Sequence, residues 1–124
     1  MSVCEKLQTG LSLSFVLVVA AEHSPQHLLP TIVLSTPFMI QKMEEVCTMA
    51  VWDAVGADKT TVGTHVDVYH RSAAREGEEV TFACELRSVE GRKLLFDVTA
   101  RAGERIVGEG IHERFVVDRD RFAG

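Results

Sequence analysis

From Leu11 the chain alternates between apolar and polar residues. Leu11, Leu13, Phe15, Leu17 and Val19 fall on one face, which predicts a β-strand. The apolar run FVLVVAA (15–21) reads as buried, and the polar residues 1–10 before it as a frayed lead-in. Residues 21–35 contain Pro25 and Pro30 and predict a loop lying over something, long for a connection. The period then changes. Ser35 or Thr36 can cap a helix, and Pro37 suits the first helical position because its missing N–H would be unpaired there. PFMIQKMEEVCTMAVWDAV (37–55) predicts one long helix, ended by Gly56. Phe38, Met39, Met43, Val46, Cys47, Met49, Ala50 and Trp52 cover more than a narrow stripe, so that helix is expected to be buried on several sides.

The remainder is strand-like. Val62, Thr64, Val66, Val68 and His70 share a face over residues 61–70, and Val80, Phe82, Cys84 and Leu86 share one over 79–88. VEGR (89–92) predicts a hairpin turn, with Gly91 supplying positive φ. Leu94, Phe96, Val98 and Ala100 alternate after it, and RAGER (101–105) is a second turn. The last strand, 105–117, puts Val107, Ile111, Phe115 and Val117 on one parity and His112 and Arg114 on the other, polar one. Strands joined by tight turns pair antiparallel. One sheet around one helix makes a single α+β domain over residues 1–124.

The length of 124 residues supports one core. A net charge of −5 repels phosphate backbones and argues against a nucleic-acid partner. The longest apolar run falls far short of the roughly 20 residues that span a bilayer. Cys4, Cys47 and Cys84 are odd in number and show no zinc spacing, which predicts three free thiols in a reducing cytoplasm. The five histidines have no ligand spacing, and no metal site is expected.

TPFMIQKMEE (36–45), VGTHVDVYHRSAAREGEEV (62–80), ELRSVEGRKLLFDVTA (85–100) and GEGIHERFVVDRDRF (108–122) together resemble the hotdog-fold thioesterases of the fluoroacetyl-CoA thioesterase-like group. The similarity runs from about Val33 to Phe122. It implies a hotdog fold, a long helix wrapped by an antiparallel sheet, paired into a homodimer that can stack further into a tetramer. It also implies hydrolysis of an acyl-CoA thioester, with coenzyme A as part of the substrate and no separate cofactor. The family's catalytic threonine, glutamate and histidine fall on Thr36, Glu44 and His70, its substrate-approaching glycine on Gly63, and its last-strand arginine on Arg114. The phenylalanines that precede the helix in the fluoroacetyl-selective enzyme are missing from residues 21–35, where His27 and Pro30 stand. That argues against fluoroacetyl selectivity and for a small or medium acyl group.

The chemistry suits these residue types. A thiol with a pKa of about 8.5 leaves readily as thiolate. The helix start, residues 37–39 with Phe38 and Met39, is placed to offer N–H groups to a developing oxyanion. An aliphatic hydroxyl such as that of Thr36 needs a base, and His70 faces inward on its strand. Glu44, on a helix expected to be buried, can activate water or attack the carbonyl itself. Thr36 and Glu44 are eight residues apart, about 12 Å along an ideal helix. Either the helix starts later, near Met39, or each residue serves a different part of the substrate, or the site combines two chains. Arg114, with Arg71 or Arg75, is a candidate for coenzyme A phosphates. Met39, Met43 and Met49 are core or acyl-pocket lining, Trp52 is core or dimer interface, and His65 with Asp67 is a structural pair. Two rival readings are a non-catalytic acyl-CoA-binding hotdog module and a hotdog enoyl-CoA hydratase. Asp67 and His70 point to opposite faces, which disfavours the latter.

Overall fold

The structure is a computed structural model that describes residues 6–123. Cys4 and the first five residues of the expected lead-in lie outside the described residues. The rest of that lead-in is tied down: Leu7 is buried in the core, and the Gly10 N–H donates to the Leu86 carbonyl at 2.9 Å.

The alternating segments form β1 (Ser12–Val18), β2 (Lys59–His70), β3 (Glu79–Glu90), β4 (Lys93–Ala102) and β5 (Arg105–Asp118), with α1 (Thr36–Val55) after β1 and a short α2 (Arg119–Ala123) after β5. The strands make one antiparallel sheet in the order β1-β3-β4-β5-β2. α1 touches all five strands. The inward residues of β3 (Val80, Phe82, Cys84, Leu86) and β4 (Leu94, Phe96, Val98, Ala100) are buried against Met39, Met43, Val46, Cys47 and Val51 of the helix. Gly91 turns the β3–β4 hairpin at φ 61°, a left-handed conformation that side chains resist.

Ser35 is the N-cap of α1, its Oγ accepting from the Phe38 N–H at 3.2 Å, so Thr36 rather than Pro37 is the first helical residue. Four expectations change. The helix is buried along one stripe, because a single sheet covers one side of it; Met49 and Trp52 are 49% and 56% exposed. β1 is an edge strand buried on one face, with Val16 and Val18 pointing outward. In β2 a bulge at Thr64 shifts the register between Gly63 and His65, so Thr61 and Gly63 share the helix side with Val66, Val68 and His70, while Thr64 does not. In β5 Val107 is buried as expected, but the register shifts across it, and from Gly108 onward the parity is the reverse of the one expected. His112, Arg114 and Val116 are buried and Phe115 is 40% exposed. Counting apolar residues fails there because the buried polar pair is satisfied by hydrogen bonds.

Candidate active site

Two polar clusters lie along α1. The first is at its start. Thr36 Oγ1 is 2.7 Å from His70 Nδ1, so the capped helix and the end of β2 bring a hydroxyl and an imidazole into hydrogen-bond contact. Burial pushes the His70 pKa below its ordinary value, and the Ser72 backbone opposes this weakly. Its Nε2 is buried and has no partner among the described residues. The pair opens onto a cleft of about 470 Å³ walled by Pro25, His27, Leu28, Leu34 and Arg71, within the usual size range of small-ligand sites. The wall is held in place. The Ser35 N–H donates to the His23 carbonyl at 2.8 Å, and Val33 bridges Arg75. His23 is itself buried, its ring packed at a tilt against that of Phe38 with centroids 4.5 Å apart.

The helix start offers fewer free donors than expected. Pro37 has no N–H, the Phe38 N–H is taken by the Ser35 side chain, and the Met39 N–H bonds the Ser35 carbonyl at 2.9 Å. Residues 37–39 therefore do not form an oxyanion hole. The Met39 side chain is fully buried against Gly108 and does not reach the cleft.

The second cluster lies two turns further along. Glu44 Oε1 is 3.7 Å from Arg114 Nη1. Glu44 is not the buried carboxylate expected, since its side chain is 41% exposed. Arg114 is 6% exposed; it donates from Nε to Thr61 Oγ1 at 2.8 Å and from Nη2 to the Thr61 carbonyl at 2.9 Å. Buried and bonded in this way, it is not the surface contact for coenzyme A phosphates for which it was a candidate on the polar parity of the last strand. Burial lowers its pKa, against the opposing pull of Cys47 and Glu44, yet a guanidinium stays charged. Gly63 lies directly on this pair: a Cβ there would sit 2.9 Å from Glu44 Oε1 and 3.3 Å from Arg114 Nη1.

α1 is regular from Thr36, so a later helix start does not bring the clusters together. His65 and Asp67 are both exposed and make no pair with each other among the described residues. Cys47 and Cys84 are free and buried. Among the described residues no three His, Cys, Asp or Glu side chains group as metal ligands, and no helix is long and apolar enough to cross a membrane. Thr61, which the sequence did not single out, and His112, which it placed beside Arg114 without a role, surround Arg114. The i,i+2 spacing of His112 and Arg114 was the available signal, because it puts them on one strand face.

A long helix across a five-stranded antiparallel sheet, with a hydroxyl–imidazole pair at the helix start and a carboxylate–guanidinium pair further along, defines a hotdog-fold protein with the side chains of acyl-transfer chemistry. The chain belongs to the fluoroacetyl-CoA-specific thioesterase family, whose sequence model matches residues 18–120. The fluoroacetyl-CoA thioesterase of Streptantibioticus cattleyicolor is 39% identical over 90 residues, which cover 73% of this chain and 65% of that protein, just under two thirds of its length. A solved structure of the fluoroacetyl-CoA thioesterase FlK superposes with a TM-score of 0.86 at 33% identity, covering 94% of this chain and 93% of that one. The hot-dog-like protein of Thermanaerovibrio acidaminovorans shares the fold, with a TM-score of 0.87 at 22% identity over 96% of this chain and 90% of its own.

Proposed function

We propose that the protein is an acyl-CoA thioesterase that converts a small or medium acyl-CoA and water to the free acid and coenzyme A, in the cytoplasm and with no other cofactor. The observation that carries this reading is the 2.7 Å contact between Thr36 Oγ1 and His70 Nδ1 beside an open cleft. His70 is neutral near pH 7, because burial lowers its pKa, and can therefore accept a proton. His70 Nδ1 takes the Thr36 hydroxyl proton as Oγ1 attacks the thioester carbonyl. The C–S bond breaks, and coenzyme A leaves as thiolate and takes the proton held on His70, which returns the imidazole to its neutral form. Water then attacks the acyl-threonine ester while the Glu44 carboxylate accepts one of its protons; the C–Oγ1 bond breaks, that proton returns to Thr36 Oγ1, and the acid is released.

The two clusters act together across a homodimer. β2 is an edge strand of the sheet, and its residues 63–67 are exposed. Antiparallel pairing of two β2 edge strands about a two-fold axis runs the Gly63 end of one strand alongside the His70 end of the other. Glu44, beside Gly63, is thereby directed toward the partner's Thr36 and His70. His27 and Leu28 stand at the cleft and residues 21–35 hold no phenylalanine, which supports an acyl range wider than fluoroacetyl.

The test is single-turnover mass spectrometry on Glu44→Gln with acyl-CoAs of increasing length. An acyl group retained on Thr36 supports the mechanism. Binding without thiol release by the wild-type protein would favour a non-catalytic ligand-binding module.

A further inference from the structure

His112 is 1% exposed, and the mechanism above gives it no part. Its two ring nitrogens have partners of opposite kind. Nδ1 lies 2.8 Å from the carbonyl oxygen of His65, an acceptor only, so Nδ1 carries the proton. Nε2 lies 3.1 Å from Arg114 Nη1, a donor only, so Nε2 presents its lone pair. These contacts admit one state of the ring, the neutral Nδ1–H tautomer. The bulge at Thr64 adjoins this arrangement: register passes from Gly63↔Arg114 to His65↔Glu113 across it, and Thr64 Oγ1 bonds Glu113 Oε2 at 2.6 Å.

We infer that His112 is a positioning residue: through Nε2 it fixes the Arg114 guanidinium against Glu44 and Gly63, and so sets the charged wall of the site. The inference rests on the reading above, in which the Glu44–Arg114 cluster takes part in thioester hydrolysis. Thr61 holds Nε and Nη2 of the guanidinium. His112 holds Nη1, the nitrogen that faces Glu44. Without that acceptor the guanidinium can turn about its Thr61 contacts, and Glu44 loses a fixed counter-charge.

The groups facing His112 favour the neutral ring. Burial and the Arg114 charge lower its pKa, against the His65 carbonyl and the Glu44 and Glu113 carboxylates, with burial the largest effect. The paired β4 residue, Phe96, adds no charge. A protonated ring would aim N–H at N–H and cation at cation, so it would release Arg114 rather than hold it.

The experiment joins a spectroscopic readout to a kinetic one. Nitrogen-15 imidazole correlation spectra of the wild-type protein, from about pH 5 to about pH 8, should show His112 as the Nδ1–H tautomer throughout. A His112 that carries its proton on Nε2, or titrates as an ordinary histidine near pH 6.5, would overturn the inference. His112→Phe keeps a ring but offers no acceptor; His112→Gln places an amide oxygen near the position of Nε2. We expect His112→Phe to lower kcat/KM about tenfold to a hundredfold, the scale of a lost hydrogen bond to a charged group, and His112→Gln to recover most of it. A purely structural residue would instead show activity tracking melting temperature in both variants, which counts against the inference. Wild-type kcat/KM in His112→Phe, with activity lost in Glu44→Gln, would overturn the inference and leave the site reading intact. Full activity in Glu44→Gln would overturn the site reading itself, and with it His112's part in the reaction, whatever the spectra show.

Discussion

Gly63→Ala is the smallest change that reaches the Glu44–Arg114 pair. The added Cβ would lie 2.9 Å from Glu44 Oε1, 3.2 Å from His112 Cε1 and 3.3 Å from Arg114 Nη1. Ordinary carbon contacts are about 3.5 Å or more. His112 and Arg114 are buried and bonded, so Glu44, with its side chain 41% exposed, is the group that yields. Its carboxylate must retreat by about half an ångström, lengthening a separation from Arg114 that is already 3.7 Å. A misplacement of about 1 Å in a reacting constellation costs about a hundredfold, so this one should cost about tenfold in kcat/KM. Stability should move by less than about 1 kcal/mol. The carboxylate gives way toward solvent, and alanine restricts the unfolded chain more than glycine does. The assay is steady-state thiol release beside urea unfolding. Wild-type turnover in a fully folded Gly63→Ala would refute the reasoning, because it would mean that the position of Glu44 does not matter to the rate.

Three further outcomes follow from the geometry. Gly108→Ala sets a Cβ into the Met39 sulfur and 2.9 Å from Met39 Cε, with Met39 fully buried; overpacking of this kind should cost about 1–3 kcal/mol in urea unfolding, and an unchanged midpoint would contradict the packing described. Ser35→Ala removes the side-chain acceptor for the Phe38 N–H and should cost about 1 kcal/mol of stability, read as a drop in melting temperature. The pH dependence has a defined sign. Burial holds His70 and His112 below the ordinary 6.5 in the folded chain, so between the folded values and 6.5 the unfolded chain binds more protons. Their contribution to stability is complete above pH 6.5 and is lost as pH falls through the folded values. kcat/KM should likewise show an acid limb below pH 6.5 and be level near pH 7, and a limb centred above 6.5 would remove His70 as the base.

Much of this fold was legible because alternation and helical period are local signals. β3 and β4, central in the sheet, place their apolar residues inward as the alternation required. The errors fall where a local rule meets a non-local partner. Thr64 looks like one more step of an alternating strand, but the bulge there turns Gly63 onto Glu44. On β5 beyond Val107 the more apolar parity faces outward, since Arg114 and His112 satisfy each other with help from Thr61 and the His65 carbonyl. Those partners are 53 and 47 positions away, beyond any sequence window. Helix capping was visible at Ser35, but the consequence was not: the cap itself occupies the N–H of Phe38. Thr36 and His70 were paired through family resemblance, and in the fold they are in contact across 34 positions.

The most direct measurement is free-thiol release from a panel of short, branched, aromatic and long acyl-CoAs, with wild type run beside Thr36→Ala and Glu44→Gln. The wild-type protein should turn over small or medium acyl-CoAs, with steep losses in both folded variants. Release of no thiol from any member of the panel would contradict the proposed mechanism, and so would turnover that survives both substitutions.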